Sequence, residues 1–197
     1  MRAFRLHTIA VASLALCSLS CNLLLAPVSV PLAKDPSLGE EILRVESFFS
    51  ERHSGLRPSE IDRVAEAIVV ASRRAGFSPA LVLAVIEVES SGRNSAVSEA
   101  GALGLMQLRS ATAEAVAARI GERWNGPATL FDPVANVRLG VHYLEEMVQR
   151  FGNLPTALAA YNWGPTRIAE RLRRGEPIPV VYAHRVITGY RESYART

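Results

Sequence analysis

The amino-acid sequence predicts an all-α (α-rich), single-domain fold. Three observations carry that prediction. Apolar residues recur at steps of three and four in segment after segment. Helix-starting pairs, Ser78-Pro79 and Asp132-Pro133, stand in front of such segments, and glycines such as Gly76 and Gly121 stand behind them. A strand-like pattern is confined to residues near 95–108.

The elements follow in order. Residues 38–49 place Ile42, Val45, Phe48 and Phe49 at helical spacing. Ser59 with Asp62 three residues on reads as a capping box. It opens a helix with Ile61, Val64, Ala65, Ile68 and Ala71 on one face, closed by Gly76. Ser78 and Pro79 suit the cap and first turn of the next helix, which runs toward Gly92. An alanine-rich helix spans 111–120 and stops at Gly121. Behind Asp132-Pro133, a long helix places Val134, Val137, Val141, Leu144, Val148 and Phe151 on one side. Gly140 in its middle costs about 1 kcal/mol against alanine, so close backbone packing is expected there. Shorter helices are predicted over 155–161, 166–174 and 180–194.

The chain has 197 residues and is 49% hydrophobic, enough for a real core. Its formal charge of +3 includes Arg2 and Arg5, which precede an uncharged run over 6–33. A positive start followed by an apolar stretch reads as a signal peptide, or as an N-terminal membrane or lipid anchor, over 1–33. Cys21, preceded by the small Ser20, is a lipid-attachment candidate, although Ser18 stands where a leucine is usual. The other cysteine, Cys17, lies in the same segment, so the rest of the chain has neither disulfide nor thiol chemistry. Residues 34–58 read as a linker and N-terminal helix, and 59–197 as the main folded domain. Without Arg2 and Arg5 the balance is 20 basic to 19 acidic side chains. A nucleic-acid partner is not expected. Arg167, Arg171, Arg173 and Arg174 are interrupted by Glu170 and Glu176 and read as a solvated helix face.

The stretch LVLAVIEVESSG, 81–92, carries two carboxylates at the end of an apolar run. On a helix, Glu87 and Glu89 point about 200° apart. Glu89 shares a face with Val85, Val82 and Leu81, while Glu87 shares one with Leu83, Ala84 and Ala80. A carboxyl in apolar surroundings keeps its proton toward neutral pH, as a general acid for a glycosidic oxygen must. Two further segments gather around this candidate. In VSEAGALGLMQL, 97–108, glycines permit tight turns that bring Met106 and Gln107 behind the helix end. In AYNWGP, 160–165, an aromatic, an amide and a second aromatic occupy a turn, a combination suited to sugars.

Glu89-Ser90, then GALGLMQL, DPVANVRLGVHYL and AYNWGP, in this order, resemble the lytic transglycosylases of the soluble-transglycosylase, goose-type-lysozyme-like kind. The resemblance covers about residues 77–190. It implies a lysozyme-like fold and peptidoglycan glycan strands as substrate. It implies cleavage of the β-1,4 bond between N-acetylmuramic acid and N-acetylglucosamine, leaving 1,6-anhydro ends. Glu89 matches the single catalytic acid and base. Ser90, Met106, Gln107, Tyr161 and Asn162 match substrate-binding positions, with Tyr161 beside the acid and orienting it by a hydrogen bond. Trp163 departs from the family's alanine, and Arg109-Ser110 replaces a proline common after the GLMQ segment.

Two other readings stand beside this one. A lysozyme-type hydrolase would want a second carboxylate, for which Glu99 and Asp132 are the nearest choices. A non-catalytic glycan-binding scaffold of an envelope assembly is the third, though the intact Glu89-Ser90 pair argues against it. No cofactor and no metal site are expected, because His7, His53, His142 and His184 are scattered. The leader implies export to the periplasm or cell envelope. Membrane anchoring and a secretion-system or other envelope-assembly partner are compatible with it.

Overall fold

The computed structural model describes residues 36–194. The expected signal peptide, anchor and lipidated Cys21 lie outside these residues. Eight α-helices are present among them: α1 (Pro36–Ser50), α2 (Pro58–Arg74), α3 (Pro79–Ser90), α4 (Ser110–Ile120), α5 (Pro133–Phe151), α6 (Leu154–Trp163), α7 (Pro165–Arg173) and α8 (Val181–Tyr194). A two-stranded antiparallel ribbon, β1 (Ala102–Leu103) and β2 (Leu108–Arg109), lies between α3 and α4. A 3₁₀ turn, Pro127–Phe131, which the sequence pattern did not signal, leads into α5.

Local chemistry explains most helix ends. The Ser78 hydroxyl accepts from the Ala80 N–H, and Pro79 takes the first position, where no N–H is missed. Asp132 accepts from both Val134 and Ala135 N–H groups at 2.9 and 3.0 Å. Gly121 ends α4 at a left-handed φ of 70°. The start of α2 differs from expectation. Pro58 begins the helix one residue early, so Arg57 is the cap and Ser59 is already helical. Glu60 closes that end by accepting from the Arg57 backbone N–H and guanidinium, at 2.9 and 2.8 Å.

Helix α3 is apolar on nearly every side because it is packed on nearly every side. Val82, Val85 and Ile86 are fully buried. It lies against α1, α2 and α8. Each such side chain contributes about 1.5–3 kcal/mol relative to exposure. Helix α6 is buried along Ala157–Tyr161, held between α5 and α8. Helix α5 packs on α2, α4 and α6. The expected close approach at Gly140 is present: a methyl group there would lie 2.8 Å from Met106 Cβ and collide with its sulfur.

Gly140→Ala is therefore expected to lose about 1–3 kcal/mol of stability in a urea titration. In a double-mutant cycle with Met106→Ala the two losses should not add, because the first clash needs the second side chain. Additive losses would mean that the two positions do not touch.

Candidate active site

The last turn of α3 carries Glu89 into the space between α3 and α8. Ser91 ends the helix in a left-handed conformation, φ 53°, with its N–H bonded to Glu87 O. The Tyr182 hydroxyl, from α8, donates to Glu89 Oε1 at 2.6 Å. Burial pushes the Glu89 carboxyl up to about 7; the Tyr182 hydrogen bond and the Arg185 charge pull the other way without cancelling it. A place at a helix C-terminus, where the dipole is negative, further disfavours the carboxylate. Glu87, two residues earlier, is exposed and ion-paired with Arg52 at 2.9 Å. Of the two carboxyls in LVLAVIEVESSG, Glu89 is the half-buried one, and desolvation raises its pKa.

The segment 96–109 forms a frame behind Glu89. Gln107 adopts a φ of 48°, and its Nε2 donates to Ala96 O at 3.0 Å and Gly104 O at 2.9 Å. Asn136, fully buried on α5, accepts from Met106 N–H at 2.8 Å and donates to Leu103 O and Leu130 O at 3.0 and 2.9 Å. Gly104 is required beside it. Its φ is 75°, and any Cβ would collide with the Asn136 amide and Leu130 O. Tyr161 completes the frame by donating its hydroxyl to Met106 O at 2.8 Å.

This geometry changes several expectations. Tyr161 is close enough for the Glu89 charge to raise its already burial-raised pKa. Its hydrogen bond nevertheless goes to Met106 O, so the group that orients Glu89 is Tyr182. Met106 is fully buried against Gly140. Ser90 is buried with its hydroxyl donating to Ile86 O at 3.1 Å. Neither side chain reaches solvent, so the expected direct contact with a ligand gives way to support of the backbone. Gln107 is half-buried, whereas Asn162 and Trp163 are exposed. Glu99 is exposed, and Asp132 is committed to capping α5.

The sequence reading missed Tyr182. One signal was available: a lone phenol in the apolar start of a helix, VVYAHRV, needs a partner once buried. The partner lies 93 residues away, which no local pattern reveals. Asn136 was missed for the same reason. Among the described residues no group of three or more His, Cys, Asp or Glu side chains is arranged to hold a metal ion.

Fold and site together define a lysozyme-like helical domain built around one half-buried glutamate whose pKa is raised by desolvation. Solved lytic transglycosylases share the fold. An inactive mutant of Slt from Pseudomonas aeruginosa aligns with a TM-score of 0.51 at 20% identity, over 79% of this chain and 34% of its own. The 70 kDa soluble lytic transglycosylase from Escherichia coli aligns at 0.53 and 21%, over 68% of this chain and 24% of its own. The chain belongs to the transglycosylase SLT domain family, whose match covers residues 66–176. The transglycosylase of Enterobacteria phage PRD1 is 38% identical over 99 residues, 50% of this chain and 34% of that protein. The membrane-bound lytic murein transglycosylase C of Cronobacter sakazakii is 34% identical over 116 residues, 51% of this chain and 32% of that protein. The soluble lytic murein transglycosylase of Salmonella typhimurium is 34% identical over 99 residues, 15% of its length. The chain thus spans about a third or less of these relatives.

A carboxyl raised from near 4.5 to about 7 favours folding while both states are protonated, and that contribution is lost as pH rises through 7. The loss amounts to about 3 kcal/mol. Urea titrations of the chain should therefore show stability falling between pH 5 and pH 8. Glu89→Gln should flatten that fall and be the more stable protein at pH 8. An unchanged pH dependence in the variant would place the titrating group elsewhere.

Proposed function

We propose that this chain is a lytic transglycosylase that cleaves peptidoglycan glycan strands at the β-1,4 bond between N-acetylmuramic acid and N-acetylglucosamine, with Glu89 as its single acid and base. The observation that carries this reading is the Glu89 carboxyl itself: half-buried, held by the Tyr182 hydroxyl, with desolvation pushing its pKa up to about 7. Membership of the transglycosylase SLT domain family supports the reaction class.

The Glu89 proton passes to the glycosidic oxygen as the bond to the muramic C1 breaks. The carbonyl oxygen of the substrate's own N-acetyl group stabilises the positive centre, so no second protein carboxylate is required. Ionised Glu89 then takes the proton from the muramic C6 hydroxyl, whose oxygen bonds to C1 and displaces the N-acetyl oxygen. The product is a 1,6-anhydro ring, and Glu89 has its proton back. Tyr182 holds Oε1 at 2.6 Å and steadies the carboxylate between the two transfers. Gln107 and Asn162 border the strand; buried Tyr161 and Met106 back them through the Tyr161–Met106 hydrogen bond, and Ser90 is bonded within α3.

A lysozyme-type hydrolase would use a second carboxylate to activate water. The choices raised by the sequence do not favour it, since Asp132 is engaged as a cap and Glu99 lies exposed. The leader-like residues 1–33 support an envelope location, which is where the substrate lies. Anchoring there and service to an envelope assembly remain part of this proposal.

Mass spectrometry of muropeptides released from purified peptidoglycan tests the reaction. Products lighter than hydrolysed ones by one water, about 18 Da, are expected; full-mass reducing ends would make the protein a hydrolase. Glu89→Gln should lower turnover by about 10²–10⁴-fold while folding normally, and Glu87→Gln should have little effect. Tyr182→Phe removes a charge-assisted hydrogen bond of about 1.5–3 kcal/mol, so kcat should drop about tenfold or more. The same change removes an influence that lowers the Glu89 pKa. The alkaline fall of the rate profile should therefore move above pH 7 in that variant, whereas simple loss of folding would leave its position unchanged.

A further inference from the structure

Arg185 lies on α8 one turn after Tyr182 and one turn before Gly189. Steps of three and four put the three residues on one stripe of the helix. Both ends of that stripe touch α3. The Tyr182 hydroxyl reaches Glu89 at 2.6 Å, and a methyl group placed on Gly189 would lie 3.9 Å from Ala84 Cβ. Arg185 sits between these two contacts, beside the half of α3 that ends in Glu89. Val186 next to it is fully buried, whereas Arg185 is exposed at the edge of the stripe. It lines the same groove as Ala84 and Val88 of α3.

Among the described residues Arg185 makes no ion pair. The nearest other arginine of this region is occupied: Arg52 holds Glu87, on another face of α3, at 2.9 Å. The titratable groups that face Glu89 are Tyr182 and Arg185 from α8, and Tyr161 from α6. Tyr143 of α5 stands behind Tyr161, with ring centres 5.2 Å apart. Helices α1 and α2, packed on other sides of α3, bring no charge that acts on Glu89. The Arg185 charge acts on both Glu89 and Tyr182.

Once Glu89 gives up its proton it is a half-buried anion at the end of a helix whose dipole is negative there. The Tyr182 hydroxyl satisfies one of its oxygens but adds no positive charge. A cation held one turn further along the same helix supplies that charge. We propose that Arg185 is an electrostatic positioning residue of the reaction, whose fixed charge steadies Glu89 as the anion that exists between the two proton transfers. This inference rests on Glu89 being the acid of the proposed reaction, and it adds the group that offsets its negative charge.

The test uses the whole chain with isotope-labelled glutamate, and the Glu89 carboxyl signal is the one missing from Glu89→Gln. Its titration is followed by NMR without substrate. A neighbouring cation favours the charged carboxyl, so Arg185→Gln should raise the midpoint of that titration. In turnover of peptidoglycan strands the same variant should lose kcat about two- to fivefold, the size expected of one exposed charge, with KM little altered. The alkaline fall of its rate should move to higher pH, because Glu89 must begin protonated. A folding defect lowers the rate without moving either midpoint. Arg185→Lys keeps the charge and should restore both readings, and Arg185→Glu should exceed Arg185→Gln in both. Raising the ionic strength from about 0.01 to 1 M shortens the screening length from about 30 to 3 Å. Salt should therefore imitate the substitution in the native protein and add little in Arg185→Gln. An unmoved Glu89 titration in Arg185→Gln, a moved titration with unaltered kcat, or an Arg185→Lys protein that behaves like Arg185→Gln overturns the proposal. The two proposals fail separately. Full-mass reducing ends with the Arg185 effects intact remove the ring closure and leave the role of Arg185, since Glu89 ionises in either reaction. Anhydro products without any Arg185 effect do the reverse.

Discussion

The buried amide of Asn136 is the interaction on which the rest of the site depends. A fully buried side chain with no partner would be expensive, and Asn136 satisfies three contacts at once, with Met106, Leu103 and Leu130. It thereby ties the ribbon, the 3₁₀ turn and α5 to a single point. That point fixes the Met106 carbonyl, and the Met106 carbonyl occupies the Tyr161 hydroxyl. With Tyr161 engaged there, the Tyr182 hydroxyl holds Glu89 from the opposite helix. A hydrogen bond made far from the carboxyl thus helps decide which phenol attends it.

Glu87 and Glu89 show how environment sets the role of a side chain. They have the same ordinary acidity and sit two residues apart on one helix. One meets Arg52 and water; the other meets buried surface and a phenol. The difference comes from helical rotation combined with where α8 and α1 pack. Shifting the carboxyl by two positions would exchange a proton carrier for a surface ion pair.

Much of the fold was legible because helix ends are local events. Ser78-Pro79, Asp132-Pro133 and Gly121 announced boundaries that the structure keeps. Gly140 announced a close contact, but both faces of α3 are apolar in sequence, so periodicity did not separate Glu89 from Glu87; the ordered motifs of the resemblance singled out Glu89. The start of α2 was misread because Ser59 and Asp62 have the right spacing for a cap, while Pro58 nucleates the helix just before them. The partners of the site were harder to read. Tyr182 meets Glu89, Asn136 meets Met106 and Tyr161 meets Met106 across 93, 30 and 55 residues. Periodicity carries information over a few turns and none over such separations. Met106 and Ser90 were legible as important positions, but their burial beneath the surface appears only once the helices are assembled.

Helix α1 lies wholly before residue 66, where the family match begins. Just past its end, Arg52 bonds Glu87, caps the Phe48 carbonyl and lies 3.8 Å over the Phe48 ring. Phe49 fills the core, and Asn94, just beyond α3, is tied to Ser54. The helix that bears Glu89 is therefore braced by chain that the family does not define. What is inherited in common and what must fold together have different edges here. A gene fragment trimmed to the shared stretch would retain the glutamate and lose both the brace on its helix and, at the other end, the tyrosine on α8 that holds it.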